Sequence, residues 1–260
     1  SEIIGVKYDV LDDGFVRLVD YMGDDSAIVQ AARISYGEGT KHISDDRKLI
    51  RYMMRNSHSS VFEMAELKFH IRAPIFVFRQ IMRHRTASIN EISGRYSIIT
   101  DSTNKTKPND WRTQDTVNRQ GSHGNIPNDI GFMLSEQEND LLIFSRSVYE
   151  NRLSSGVARE QARKDIPISI YSEIYWKIDL HNLFHFLKLR LDPHAQKETR
   201  SYAHAILNIV EQLFPIATEA FIDYRLESIS LSVNEQAIMR ILLTNKEYSL
   251  IKQLLLELDF

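Results

Sequence analysis

An α+β fold is the class the sequence predicts: a central antiparallel sheet flanked by helices, with a helical C-terminal half. Three observations point to it. Residues 64–72 alternate cleanly, with Leu67, Phe69 and Ile71 on one side and Glu66, Lys68, His70 and Arg72 on the other. That is the pattern of a strand with one covered and one wet face. Residues 3–22 read as a strand pair around a turn. Beyond residue 135 the apolar residues recur mostly three and four apart, the helical period, with one aromatic and β-branched run at 169–178.

In chain order, Val6, Tyr8 and Val10 line one side of the first strand, Asp12, Asp13 and Gly14 turn it, and 15–22 returns. A helix is expected over 24–36, opened by Asp24, Asp25 and Ser26, then a polar loop over 37–44. A second helix covers 45–56, with Ser44 as its cap and Leu49, Ile50, Met53 and Met54 as its apolar stripe. Polar residues 56–60 suggest a surface turn before the alternating strand, on whose wet face His70 reads as structural. Pro74 suits the first turn of a short helix over 74–83, where its missing N–H costs nothing. The polar stretch 98–134, with Pro108 and Pro127, reads as a long insert pinned by Trp111. Ser135 and Glu138 have the spacing of a capping box and predict a helix from there to 153, ended by Gly156. A charged helix over 158–165 stops before Pro167. Asp179 is the expected cap of a helix over 179–190, and Pro193 the expected start of a long helix to 213, broken by Pro215. Residues 1–225 are read as one domain, with 226–260 as an extension of two short amphipathic helices.

The 260 residues carry a net charge of −3, with 43% hydrophobic and 26% charged residues. This balance gives no general affinity for nucleic acid or an anionic membrane. No apolar run approaches a membrane span and no signal peptide opens the chain, so a soluble, cytoplasmic protein is expected. The chain contains no cysteine. Disulfides, thiolate metal sites and thiol nucleophiles are therefore out.

The chemistry concentrates in 79–97. This stretch holds Arg79, Arg83, Arg85 and Arg95, with His84, Glu91 and a set of small hydrogen-bonding residues that includes Ser88, Asn90 and Ser93. Gln80, Arg83 and His84 share one helix face by the three-and-four spacing. Guanidinium groups pair bidentately with phosphate, and Ser, Asn and Glu sort ring edges by donor and acceptor. The inventory suits a phosphorylated ligand with a polar ring. An arginine-rich stretch is more often a solvated face or a salt-bridge network. Here the cations outnumber the single acid and would repel one another without an anion to share.

Arg83, His84 and Arg85, followed after seven residues by Ser93, resemble the signature of the flavin-dependent thymidylate synthases, and residues 90–96 match that family as well. The resemblance covers roughly residues 3–225. It implies reductive methylation of dUMP to dTMP, with 5,10-methylenetetrahydrofolate as carbon donor, NADPH as reductant and FAD as cofactor. It implies dUMP binding by Gln80, Arg83, Glu91, Ser93, Gly94, Arg95 and Arg163, the last reached from a neighbouring subunit of a homotetramer. It implies cofactor binding by His58, Ser60, Arg83, His84, Arg85, Glu91, Asp179, His181 and His185. Arg190 is the implied activating residue. Many members carry Asn and Arg where this chain has Asp179 and His181, and another Asn where it has His185. Two other readings remain open from the residues: a flavin- or nucleotide-binding protein without turnover, and a metal hydrolase built on His181 and His185, which stand four apart on one helix face. For that pair, packed or solvated histidines are at least as probable as a metal site.

Overall fold

The computed structural model describes residues 2–34, 45–93, 102–116, 119 and 121–244. The chain forms two compact units, Ser1–Leu226 and Glu227–Phe260. The first opens with β1 (Lys7–Val10) and β2 (Gly14–Met22), then α1 (Asp25–Ile34) and α2 (Asp46–Arg55). β3 (Glu66–Pro74) leads into α3 (Ile75–Ile81) and β4 (Ser88–Glu91). A small hairpin of β5 (Arg112–Gln114) and β6 (Ser122–Asn125) precedes α4 (Asn128–Ser154) and α5 (Arg159–Ala162). β7 (Tyr171–Asp179) is followed by α6 (Leu180–Arg190), α7 (Lys197–Leu213) and α8 (Pro215–Phe221). The second unit contains α9 (Val233–Thr244).

Five strands form the main sheet in the order β1-β2-β3-β7-β4, every neighbouring pair antiparallel. The alternation in β3 does what it predicts. Leu67, Phe69 and Ile71 are fully buried, as are Val16 and Leu18 of β2 and Trp176 of β7. They meet Leu183, Phe186 and Leu187 of α6 and Tyr202, Ile206 and Ile209 of α7 in one core. The opposite face is polar. There His70 bridges Arg17 (2.6 Å) and Glu173 (2.7 Å), the structural role its position suggests.

Several boundaries differ from the sequence reading. Asp45 caps α2, accepting from the Lys48 N–H at 3.0 Å; Ser44 lies outside the described residues. The polar run after α3 contains a strand. β4 pairs with β7 from Ser88↔Lys177 to Glu91↔Ile174. It is an exposed edge strand, so no buried alternation marks it in the sequence. Part of the insert is ordered as the β5–β6 hairpin. α4 begins at Asn128, seven residues before Ser135. The supposed capping box serves the insert instead: Ser135 Oγ accepts from Trp111 Nε1–H at 3.0 Å and donates to the Thr106 carbonyl at 2.7 Å, while Glu138 accepts from the Thr106 N–H at 2.7 Å. Trp111 thus pins the insert as expected. Pro193 lies in a turn rather than a helix, because Asp192 accepts from the His194 N–H at 2.7 Å and closes the chain locally. α7 starts four residues later.

Candidate active site

Two elements converge on the candidate site, the end of α3 and the length of α6. α3 is set by the strand that feeds it. Pro74 ends β3, and the first two N–H groups of α3 donate to the carbonyls of Ile170 (3.0 Å) and Ile168 (3.1 Å) just before β7. The helix stops at Ile81, and the His84 N–H bonds back to the Ile81 carbonyl at 3.0 Å. That turn drives His84 inward while Arg83 and Arg85 stay exposed. α6 is fixed by its cap. Asp179 accepts from the Asn182 N–H (2.9 Å) and from Asn182 Nδ2 (2.6 Å).

His84 is buried, at 8% exposure. Its ring lies edge-on to Phe186 at 4.9 Å and 5.9 Å from the His185 ring. Arg190 Nε–H donates to His84 Nε2 at 3.2 Å, and Arg190 Nη2 donates to the Gln80 carbonyl at 3.3 Å. The Gln80 side chain bonds Gln196. Burial pushes the His84 pKa down to about 4, with the Arg190 charge and then His185 adding to it. Burial also lowers the Arg190 pKa. No carboxylate pairs with Arg190, Arg83 or Arg85 among the described residues. A salt-bridge network therefore does not account for these three arginines among the described residues.

A cavity of about 270 Å³ opens along α6. Met53, Met54, Phe62, Phe184 and Phe221 make its apolar floor, with Phe184 and Phe221 stacked at 4.4 Å. His58, His181, His185, Lys188 and Arg225 surround it, and no acidic side chain lines it among the described residues. Ser57 adopts φ +60 in the turn after α2 that leads to His58; Ser57 Oγ also accepts from Arg225 at 2.6 Å. His181 and His185 thus face a common space, but no set of three metal-binding side chains converges among the described residues. A hydrolase built on that pair lacks its third ligand there.

The expected residues are therefore partly gathered. Gln80, His84 and Arg190 touch, and His58, His181 and His185 share the cavity. Ser60 is exposed and does not line it; Ser59 does. Glu91 sits at the end of β4 and accepts from Ser172 Oγ at 2.8 Å. Ser93 is half-buried beyond β4, and Gly94 and Arg95 lie outside the described residues. Arg163 is exposed at the start of a 3-10 turn, and no hydrogen bond or ion pair joins it to His84 or Arg190 among the described residues. Its segment is tied to α4, where Arg152 bonds Asp165 at 2.6 Å and the Ala162 carbonyl at 3.1 Å. Sequence reasoning missed Lys188 and Arg225. Lys188 was within reach, since 181, 185 and 188 follow helical spacing. Arg225 carries no local signal, because a π-helical turn, Ile222–Leu226, places it.

The profile of the family described as thymidylate synthase complementing protein matches residues 17–216. A flavin-dependent thymidylate synthase of Thermus thermophilus is 53% identical over 242 residues, covering 92% of this chain and 87% of that protein. One from Wolbachia pipientis wMel is 49% identical over 245 residues, covering 92% and 86%. This chain belongs to the flavin-dependent thymidylate synthase family. A crystal structure of a UMP/dUMP methylase, PolB, from Streptomyces cacaoi, bound with 5-Br UMP, superposes with a TM-score of 0.75 at 33% identity. It covers 85% of this chain and 99% of that one. The family match spans every expected site residue from His58 to Arg190 but not Arg225.

Proposed function

We propose that this family member converts dUMP to dTMP by FAD-dependent reductive methylation, taking its carbon from 5,10-methylenetetrahydrofolate and its reducing equivalents from NADPH. The observation that carries the reading is Arg190, a partly buried guanidinium with no carboxylate partner among the described residues, beside an exposed arginine turn. Without a thiol, the uracil ring must become nucleophilic at C5 by polarisation. A guanidinium on the carbonyl and N3 edge stabilises the negative charge that develops there, and a desolvated one does so more strongly than one in water. Arg190 takes that role. Gln80, Arg83, Glu91, Ser93, Gly94 and Arg95 bind dUMP, with Arg163 supplied by a second subunit.

The cavity along α6 fits part of FAD, since an apolar floor with a cationic rim suits a ring that carries an anionic tail. His58, Ser60, Arg83, His84, Arg85, Glu91, His181, His185 and the capped helix start at Asp179 would hold it. FAD supplies hydride chemistry when bound; the protein supplies orientation and charge. The reading includes a cytoplasmic homotetramer. Its support in this chain is α4, which leaves Met133, Leu141 and Phe144 exposed along one stripe.

The deciding experiment is a visible spectrum of the purified protein, followed by photoreduction and anaerobic addition of dUMP with methylenetetrahydrofolate. Reoxidation that needs both substrates and yields dTMP is the expected result. A colourless protein that takes up no FAD would overturn the proposal. Flavin binding without dTMP formation would favour the binder without turnover.

A further inference from the structure

We infer that His84 is a positioning residue for Arg190: its neutral ring fixes the guanidinium in place without neutralising it. The inference rests on the reading of Arg190 as the activating group. Arg190 Nε always carries a hydrogen, so the atom facing it, His84 Nε2, must be the bare ring nitrogen. The proton of the neutral ring is then on Nδ1. The ring cannot turn away, because it is buried between the end of α3 and α6, against Phe186. Two contacts hold the guanidinium, one on Nε from His84 and one on Nη2 from the Gln80 carbonyl. Both acceptors are uncharged. A carboxylate in either place would grip Arg190 harder, but it would also cancel the charge that a substrate is to meet. Arginine has five N–H donors in a fixed fork. Two are spent on these contacts, and the other three remain for an anionic ligand in a set orientation. Preorganisation of this kind matters because a polar group that must reorient during reaction loses most of its catalytic value.

The resemblance gives His84 to the flavin. The geometry gives its Nε2 to Arg190. The two roles separate in a double-mutant cycle read by dUMP affinity, measured calorimetrically on the FAD-loaded protein, with flavin content read by absorbance. Alone, His84→Leu is expected to weaken dUMP binding about tenfold, as loss of a hydrogen bond to a charged group does, and to lower kcat further. Flavin content reports the cofactor contact separately, and dUMP affinities are compared at matched FAD loading. In an Arg190→Ala background the same change is expected to leave dUMP affinity within about twofold. Gln reaches as far as the Nε2 of histidine and Asn only as far as Nδ1. His84→Gln is therefore expected to recover most of the loss and His84→Asn little of it. This pair keeps the test alive if the Leu variant does not fold. Equal losses in the two backgrounds at matched FAD loading, or Asn and Gln behaving alike, would overturn the inference and leave the role of Arg190 standing. Full turnover and dUMP binding in Arg190→Ala alone would overturn the reading beneath it.

Discussion

A histidine held neutral inside the fold makes stability depend on pH. The folded pKa of His84 is about 4, below its ordinary 6.5. As pH falls the unfolded chain takes up this proton first. The contribution is therefore fully present above about pH 6.5 and is lost progressively between 6.5 and 4. Between about pH 7.5 and 5 the wild type is expected to lose on the order of 1–2 kcal/mol more than His84→Gln, whose side chain does not titrate. Urea unfolding at the two pH values measures this, and equal losses would contradict the buried, neutral state. Arg190→Ala tests the other partner. Removing a preorganised charge stabiliser is expected to cost on the order of 10²–10³ in kcat, read as dTMP formed per flavin. The two residues also show how much of the site can be read in advance. Arg83, His84 and Arg85 are contiguous, so their motif stands out. The contact between His84 and Arg190 spans 106 positions and leaves no trace in spacing. It exists because α3 and α6 pack on the same sheet, which only the tertiary fold decides.

Elements are legible where a buried face imposes a period. β3, β7 and α6 announce themselves because one side of each enters the core. β4 stays hidden because its neighbours on the surface are polar and its hydrogen bonds are made by backbone, which any residue supplies. The start of α4 is misplaced for a related reason. Ser135 and Glu138 fit a capping box, but their partners are Thr106 and Trp111, which sequence spacing cannot reveal. What lets the insert lie against α4 at all is Gly131. A Cβ there would stand 1.9 Å from the Pro108 carbonyl oxygen, so the backbone would have to move. Gly131→Ala is expected to loosen segment 106–116 and to speed its cleavage in limited proteolysis, with the sheet intact by circular dichroism. Unchanged cleavage would show that the insert is held elsewhere. Asp179→Ala removes the α6 cap and is expected to cost about 1 kcal/mol, or roughly 2–4 °C in Tm for a chain of this size. Its effect on flavin content separates capping from cofactor contact, since a pure cap lowers Tm and leaves bound FAD unchanged.

At the scale of the whole molecule the open question is what completes the site. Arg163 belongs, by resemblance, with the dUMP ligands, yet its segment is tied to α4 through Arg152 and no bond joins it to His84 or Arg190 among the described residues. α4 itself buries only Gly131, Leu142 and Tyr149 of its 27 residues and leaves Leu141 59% and Phe144 66% exposed. These two follow Ile130 and Met133 along one side of the helix at spacings that suit a helix–helix seam. A second copy packed on that seam would bury the stripe and carry the Arg163 segment with it. Leu141→Glu with Phe144→Glu is expected to give a smaller species by light scattering, because two charges would have to be buried unpaired in the contact. An unchanged mass would remove α4 from the interface. Complementation then tests whether the seam serves catalysis. Arg190→Ala and Arg163→Ala chains should each keep only a small residual activity alone. Refolded together at equal amounts, they form assemblies in which some sites draw Arg190 from one chain and Arg163 from the other. About a quarter of wild-type activity is the random-mixing expectation for a site built from two independent chains, read at saturating dUMP after mass spectrometry has confirmed mixed assemblies. Mixtures no more active than the single variants would mean that both arginines must come from the same chain. The Arg163 segment would then have to reach its own site by a movement of α4 and α5, and the exposed stripe would need a different occupant.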